Sequence, residues 1–224
     1  MFRVVDVENW NRKELYEKFV KKPFVVTLNT NVDVTKLVSA AKHKKIKFST
    51  CFVYAISRVV NKIENFRIGF NEKDEVGIFD VSSPKISVLK KGAEIYSSVV
   101  VDFEKDFLSF HNNYLLRMKE YEEYDGPGRY SNKNGRRDFF IVSYVPNIDF
   151  SSFVSVPIFY DVAESCVPFF CIGKWTKKFF KVKVPLSFRV SHLAVDGLHL
   201  GRFVDMLKAE ISLLSKEILK TKFE

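Results

Sequence analysis

Lys181-Val182-Lys183-Val184-Pro185-Leu186-Ser187-Phe188-Arg189-Val190-Ser191-His192-Leu193-Ala194-Val195-Asp196-Gly197 is the stretch on which the fold turns. Val182, Val184, Leu186, Phe188 and Val190 alternate with Lys181, Lys183, Ser187 and Arg189. A period of two marks a strand and sends the even-numbered residues to one buried face. His192 shares that parity, so an imidazole arrives at the end of a buried strand face. Asp196 and Gly197 then end the run. A long amphipathic helix is expected from Leu198 to about Leu219, with Phe203, Leu207, Ile211, Leu214 and Ile218 facing a core. An imidazole with a carboxylate nearby is the usual equipment of a general base. A satisfied core histidine would give the same local pattern.

Outward from this stretch, the chain reads as helices around a β-rich middle. Asn11 is expected to cap a helix over Arg12 to Val20, and Phe24 to Leu28 is rich in β-formers. Asp33 to Lys42 has helical spacing, and Ser49 or Thr50 opens a strongly apolar helix through Ile63. Short strands are expected over 66–70, 75–79, 85–89 and 94–102, before a helix over 103–122. Asp125-Gly126-Pro127-Gly128 and Asn132-Lys133-Asn134-Gly135 mark a loop over 124–137. Further strands are expected over 139–144, 153–159, 168–175 and 179–190. With no repeat or linker, residues 1–224 read as a single α+β domain, a mixed β-sheet flanked by helices.

Composition bounds the function. Of 224 residues, 46% are hydrophobic, and 23 are phenylalanines, enough for a sizeable core. No run approaches the roughly 18 apolar residues that span a bilayer, and the first residues lack the apolar core of a signal peptide. A cytoplasmic protein is expected. Cys51, Cys166 and Cys171 sit in apolar contexts and read as buried free thiols; no metal site is expected. The net charge of +9 raises nucleic acid as a partner, but the cations are scattered and no nucleic-acid-binding module surrounds them. A solvated basic surface, or a small anionic ligand, accounts for the charge.

Several motifs converge on one family. Trp10-Asn11-Arg12-Lys13-Glu14 is similar to a Trp-His-Arg-Lys-Glu opening, and Lys47-Phe48 partly matches Lys-Phe-Tyr-Pro. Phe150-Ser151-Ser152-Phe153 resembles a loop that carries an active-site serine, and Ile172-Gly173-Lys174-Trp175 resembles Met-Gly-Lys-Tyr. Ser191-His192-Leu193-Ala194-Val195-Asp196-Gly197-Leu198-His199-Leu200 resembles His-His-Ala-Val-Cys-Asp-Gly-Phe-His-Val. Together these resemble the chloramphenicol acetyltransferases of the trimeric, histidine-motif type over nearly the full length. The bare His-x-x-x-Asp-Gly pattern is shared with dihydrolipoamide acyltransferases and other acyl carriers' enzymes, so alone it specifies only acyl transfer.

The resemblance implies a two-layer sandwich fold and transfer of an acetyl group from acetyl-CoA to a hydroxyl of chloramphenicol. His192 takes the role of general base and Ser152 that of oxyanion donor, with Ser151 beside it as the alternative. Asp196 is expected to pair with Arg12 and shape the turn that holds His192; stranding either charge would cost about 3 to 5 kcal/mol. Lys47 and Lys174 are implied as partners of the coenzyme phosphates, and Trp175 as a platform for its adenine. The implied assembly is a homotrimer with active sites between subunits. Ser191, Ser49-Thr50 and Cys171 depart from the family's pattern, which places the acceptor in question more than the reaction. An acyltransferase with another acceptor, or an inactive ligand-binding relative, would share much of this sequence.

Overall fold

The computed structural model describes residues 1–126, 129–132, 135–156 and 161–223. In chain order the elements are β1 (Phe2–Val4), α1 (Lys13–Val20), β2 (Val25–Asp33), α2 (Thr35–His43) and α3 (Phe48–Lys62). A 3-10 turn, Glu64–Arg67, leads to β3 (Ile68–Phe70), β4 (Val76–Phe79), β5 (Ser83–Val88) and β6 (Ser97–Val100). Then come α4 (Phe107–Glu123), β7 (Phe139–Val145), α5 (Val162–Ser165), β8 (Phe169–Gly173), β9 (Thr176–Lys178), β10 (Lys181–Ser191) and α6 (Gly197–Lys220).

The quoted stretch is the middle of the molecule. β10 lies in a mixed sheet of order β2-β10-β8-β7-β5-β6, with β9 paired to its start. It runs antiparallel to β2 from Lys183↔Asp33 to Ser191↔Val25, and antiparallel to β8 on its other edge. β8, β7 and β5 are mutually parallel, and β6 closes antiparallel. A second sheet, β1-β4-β3, is small.

Helices cover the even-numbered face of β10. Phe203 of α6 stacks on Phe66 at 4.8 Å and packs tilted against Phe188 at 4.9 Å and Phe170 at 5.3 Å. All four rings are buried, and each such side chain removed from water stabilises by about 1.5–3 kcal/mol. Burying that face is why the alternation in the sequence exists.

The boundaries differ from expectation in instructive ways. β2 continues beyond the expected 24–28 run to Asp33, across Asn29 and Asn31, which are poor strand formers; pairing along nearly the whole of β10 overrides local preference. α2 accordingly starts at Thr35, whose N–H and hydroxyl both donate to Asp33. β6 is only Ser97–Val100, and α4 begins after Asp106, whose carboxylate caps Ser109 N–H. The expected strand over 179–190 begins at Lys181, and Phe179-Phe180 form the tight turn from β9. Phe179 is held at a φ of 52°.

The strand expected over 153–159 is not present through residue 156, and 157–160 lie outside the described residues. Residues 153–156 lie over the odd-numbered face of β10 instead. From Pro185 onward that face is buried as well, including Ser187, Arg189 and Ser191, where simple alternation predicts a solvated one.

Candidate active site

β10 delivers His192 as the first residue beyond its last pair. The His192 N–H donates to Phe24 O at 2.8 Å, which continues the ladder for one more bond. The half-buried imidazole packs against Phe19, stacked at 5.3 Å and 15°, and against Phe24 at 5.7 Å, and those two rings also touch each other at 5.7 Å. Its Nδ1 is 3.1 Å from Val195 O. A carbonyl only accepts, so this contact assigns the proton to Nδ1 and leaves the Nε2 lone pair available.

The turn after His192 is braced by Arg12, which is buried just before α1. Its Nε donates to Leu193 O at 2.9 Å, Nη2 to His192 O at 3.2 Å and Nη1 to Asp196 Oδ2 at 3.0 Å. Asp196 has a second task as the N-cap of α6, with Oδ1 accepting from Leu198 N–H at 3.2 Å. His199 Nδ1 lies 2.9 Å from that same oxygen and 3.3 Å from Asp196 N. The two contacts need opposite states of Nδ1: unprotonated it accepts from Asp196 N–H and completes a capping box, and protonated it donates to the carboxylate. Burial pushes the Asp196 carboxyl up, but the Arg12 hydrogen bond, the charges of His199 and Arg12, and the Leu198 N–H together hold it below its usual value. Among the described contacts the carboxylate bonds no atom of the His192 ring.

Ser151 and Ser152 are exposed and lie between two anchors. On one side, Lys174 N–H donates to Ile148 O at 2.8 Å, and Phe150 packs against Gly173. A Cβ at Gly173 would come within 2.7 Å of the Phe150 ring and 2.6 Å of Pro185, so only glycine permits this approach. On the other side, Phe153 is tied to the face of β2 and β10. Its carbonyl accepts from Ser187 Oγ at 2.6 Å. Ser187 precedes His192 by five residues, a run of about 16 Å at strand rise. Ser152 precedes this anchor on the odd-numbered face, while His192 follows the even-numbered parity beyond the strand end, so the two stand apart within one chain.

Lys174 and Trp175 follow β8 and line a cavity of about 450 Å³ with Phe48, Ser49, Phe52, Tyr144 and Ile172. Lys47 is the exposed N-cap residue of α3, immediately before Phe48. The structure thus brings Lys174 and Trp175 to one cavity, and Lys47 precedes its lining residue Phe48 without itself lining it. Lys42, read from sequence as solvated surface, joins them with Nζ 5.9 Å from the Trp175 ring centre. Apolar walls with cations at the mouth suit a chain-like group ending in phosphates.

Other sequence features resolve simply. Ser191, where the family pattern has a first histidine, is buried with its hydroxyl 3.5 Å from that of Ser165, on the face opposite His192. All three cysteines are free and buried, and burial pushes the Cys166 and Cys171 thiols up to about 11. Among the described residues no cluster of His, Cys, Asp or Glu is placed to hold a metal ion, and no helix is long and apolar enough to cross a membrane. Sequence reading missed the rings of Phe19 and Phe24 around His192, and the capping by Asp196. The latter had a signal, since Asp-Gly before an amphipathic run is a helix start.

Comparison with known proteins matches this arrangement to a family. A chloramphenicol acetyltransferase of Clostridium butyricum is 30% identical over 224 residues, covering 99% of both chains. One from Clostridioides difficile is 31% identical, covering 93% of this chain and 95% of its own. A solved chloramphenicol acetyltransferase structure superposes with a TM-score of 0.82 at 20% identity, over 94% of this chain and 100% of that one. A probable dihydrolipoamide acetyltransferase from Listeria monocytogenes shares the fold at a TM-score of 0.64 and 17% identity, over 95% of each chain. The family model described as chloramphenicol acetyltransferase matches residues 1–208, and the chain belongs to that family.

Proposed function

We propose that this protein transfers the acetyl group of acetyl-CoA to a hydroxyl of chloramphenicol, with His192 as general base and Ser152 as oxyanion donor. The observation that carries the reading is the His192 ring: Nδ1 is committed to Val195 O, which leaves the Nε2 lone pair available to take a proton. Nε2 takes the acceptor's hydroxyl proton as that oxygen attacks the thioester carbonyl. Ser152 Oγ–H donates to the oxygen of the resulting tetrahedral adduct, a contact worth roughly 3 to 4 kcal/mol of barrier. Collapse breaks the C–S bond, and the imidazolium returns its proton to the departing thiolate. Transfer is direct, with no acetyl-enzyme.

The separation of Ser152 from His192 within one chain supports a homotrimer in which the imidazole of one copy meets the serine of its neighbour. A heterologous, ring-closing contact provides such sites. Arg12 and Asp196 act as architecture for the turn. Lys47 and Lys174, joined by Lys42, would meet the coenzyme phosphates, and Trp175 its adenine. The reaction draws on a soluble co-substrate, which fits action in the cytoplasm as one acetyltransferase domain over residues 1–224.

The test is thiol release from acetyl-CoA with and without chloramphenicol. Release that depends on chloramphenicol is expected. Release only with other hydroxyl or amine acceptors would assign a different substrate, and binding of acetyl-CoA without any release would mark an inactive relative.

A further inference from the structure

Ser187 and Asn29 face each other directly across the β10–β2 ladder, and both side chains end on the same residue. Asn29 Oδ1 accepts from Phe153 N–H at 2.9 Å, while Ser187 Oγ donates to Phe153 O at 2.6 Å. Two residues further along the same face, the Arg189 guanidinium donates to Ser155 O at 3.0 Å. The segment therefore steps along β10 with the strand's period of two, held by side chains where a strand would use backbone bonds. Phe153 follows Ser152 immediately. Fixing the Phe153 N–H fixes the plane of the peptide that leaves Ser152, and so the place of the Ser152 Cα; with Phe150 held upstream, this narrows the directions open to the Ser152 Cα–Cβ bond. Upstream, Phe150 is fixed against Gly173.

Neither clamp residue is explained by packing. Both are polar side chains on a sheet face, and Ser187 is buried. An apolar residue at either place would leave a backbone group of Phe153 without its partner. The Asn29 amide orientation follows from its partner, since a donor N–H requires the oxygen side.

We propose that Asn29 and Ser187 are positioning residues for the oxyanion donor: they clamp both main-chain groups of Phe153 and thereby aim the Ser152 hydroxyl. The proposal rests on the reading of Ser152 given above. Neither residue touches the reacting atoms on this account; each acts through Ser152.

Steady-state kinetics on Ser187→Ala, Asn29→Leu, Ser187→Thr and Ser152→Ala, alone and combined, test it on the intact protein. Misdirecting a catalytic group by a fraction of an ångström to about 1 Å costs up to about a hundredfold. Ser187→Ala and Asn29→Leu are thus expected to lower kcat about tenfold to a hundredfold with little change in KM for either substrate. Ser187→Thr, which keeps the hydroxyl, should recover most of the rate. The decisive variant is the double Ser152→Ala/Ser187→Ala, which should be no slower than Ser152→Ala, because an absent hydroxyl cannot be misdirected. Additive losses in that double variant, or failure of Ser187→Thr to recover, overturn the proposal alone. A Ser152→Ala enzyme with unchanged kcat overturns the oxyanion reading and this proposal with it. Should Asn29→Leu fold poorly, the Ser187 pair carries the same test.

Discussion

Replacing Asp196 by Asn and by Ala separates the two tasks of one carboxylate. Oδ2 pairs with Arg12, and Oδ1 caps α6 through Leu198 N–H. Asparagine caps a helix as well as aspartate does, so Asp196→Asn removes the charge and keeps the cap. Breaking a buried pair costs about 3–5 kcal/mol, while exposed pairs are worth about 0–1 kcal/mol. Here the Arg12 side chain is 10% exposed and Asp196 34%, which places the pair between these limits and below the figure expected for full burial. We therefore expect Asp196→Asn to cost about 2 kcal/mol. Alanine also loses the cap, about 1 kcal/mol more, for a total near 3. Urea unfolding at neutral pH measures both, at one fixed protein concentration because assembly adds to apparent stability.

The same pair has a pH signature. The Asp196 carboxyl is lowered on folding, so its contribution is fully present above the unfolded value of about 3.9 and is lost as pH falls through the lower folded value. Wild type should therefore lose stability toward acid more steeply than Asp196→Asn across that window. Asp196→Asn within about 0.5 kcal/mol of wild type at neutral pH would refute the reasoning about charge. Equal stability of the Asn and Ala variants would refute the cap.

Three shorter predictions follow from the site and the β9–β10 turn. His192→Ala should abolish turnover while circular dichroism and unfolding midpoint stay near wild type; appreciable residual activity would remove it as the base. Ser152→Ala should lower kcat about a hundredfold to a thousandfold with KM nearly unchanged, whereas the same loss from Ser151→Ala would shift the oxyanion donor by one residue. Phe179→Gly should raise stability by about 1 kcal/mol, because the ring is 94% exposed and its backbone is left-handed; thermal unfolding of the variant reads the gain, and a loss would show that the exposed ring has a partner.

The legible parts of this protein were those set by burial along one element. The alternation from Val182 to Val190 announced β10, its buried face and the place of His192, because a strand has to hide one side. The long helices were legible for the same reason, with α1, α3 and α6 starting within two residues of expectation and α4 starting at Phe107 rather than Phe103. What escaped was set by partners distant in sequence. The β-rich run ended at Leu28 because Asn29 and Asn31 disfavour strands, and pairing with β10 carries β2 on. Phe153, Val154 and Val156 read as a strand, yet the segment lies on a sheet face where side chains replace the ladder. Ser187 looked like a solvated position for lack of any sign of that covering segment, and nothing in the sequence singled out Asn29. Arg12 and Asp196 are 184 positions apart, and no local pattern pairs them; the family's motifs did. Lys42 met Trp175 only through the fold, in which α2 packs on α3, α6 and β10.

The central claim is that the chemistry needs His192 from one copy and Ser152 from another. Co-expression of His192→Ala and Ser152→Ala chains, followed by thiol-release assay of the mixed assembly, tests it directly. Each variant alone should lack or nearly lack activity. In randomly mixed trimers about a quarter of the sites pair an intact imidazole with an intact serine across a subunit boundary, so about a quarter of wild-type activity should return. A mixture no more active than its two parents would contradict the account, because it would place both residues in the site of a single chain.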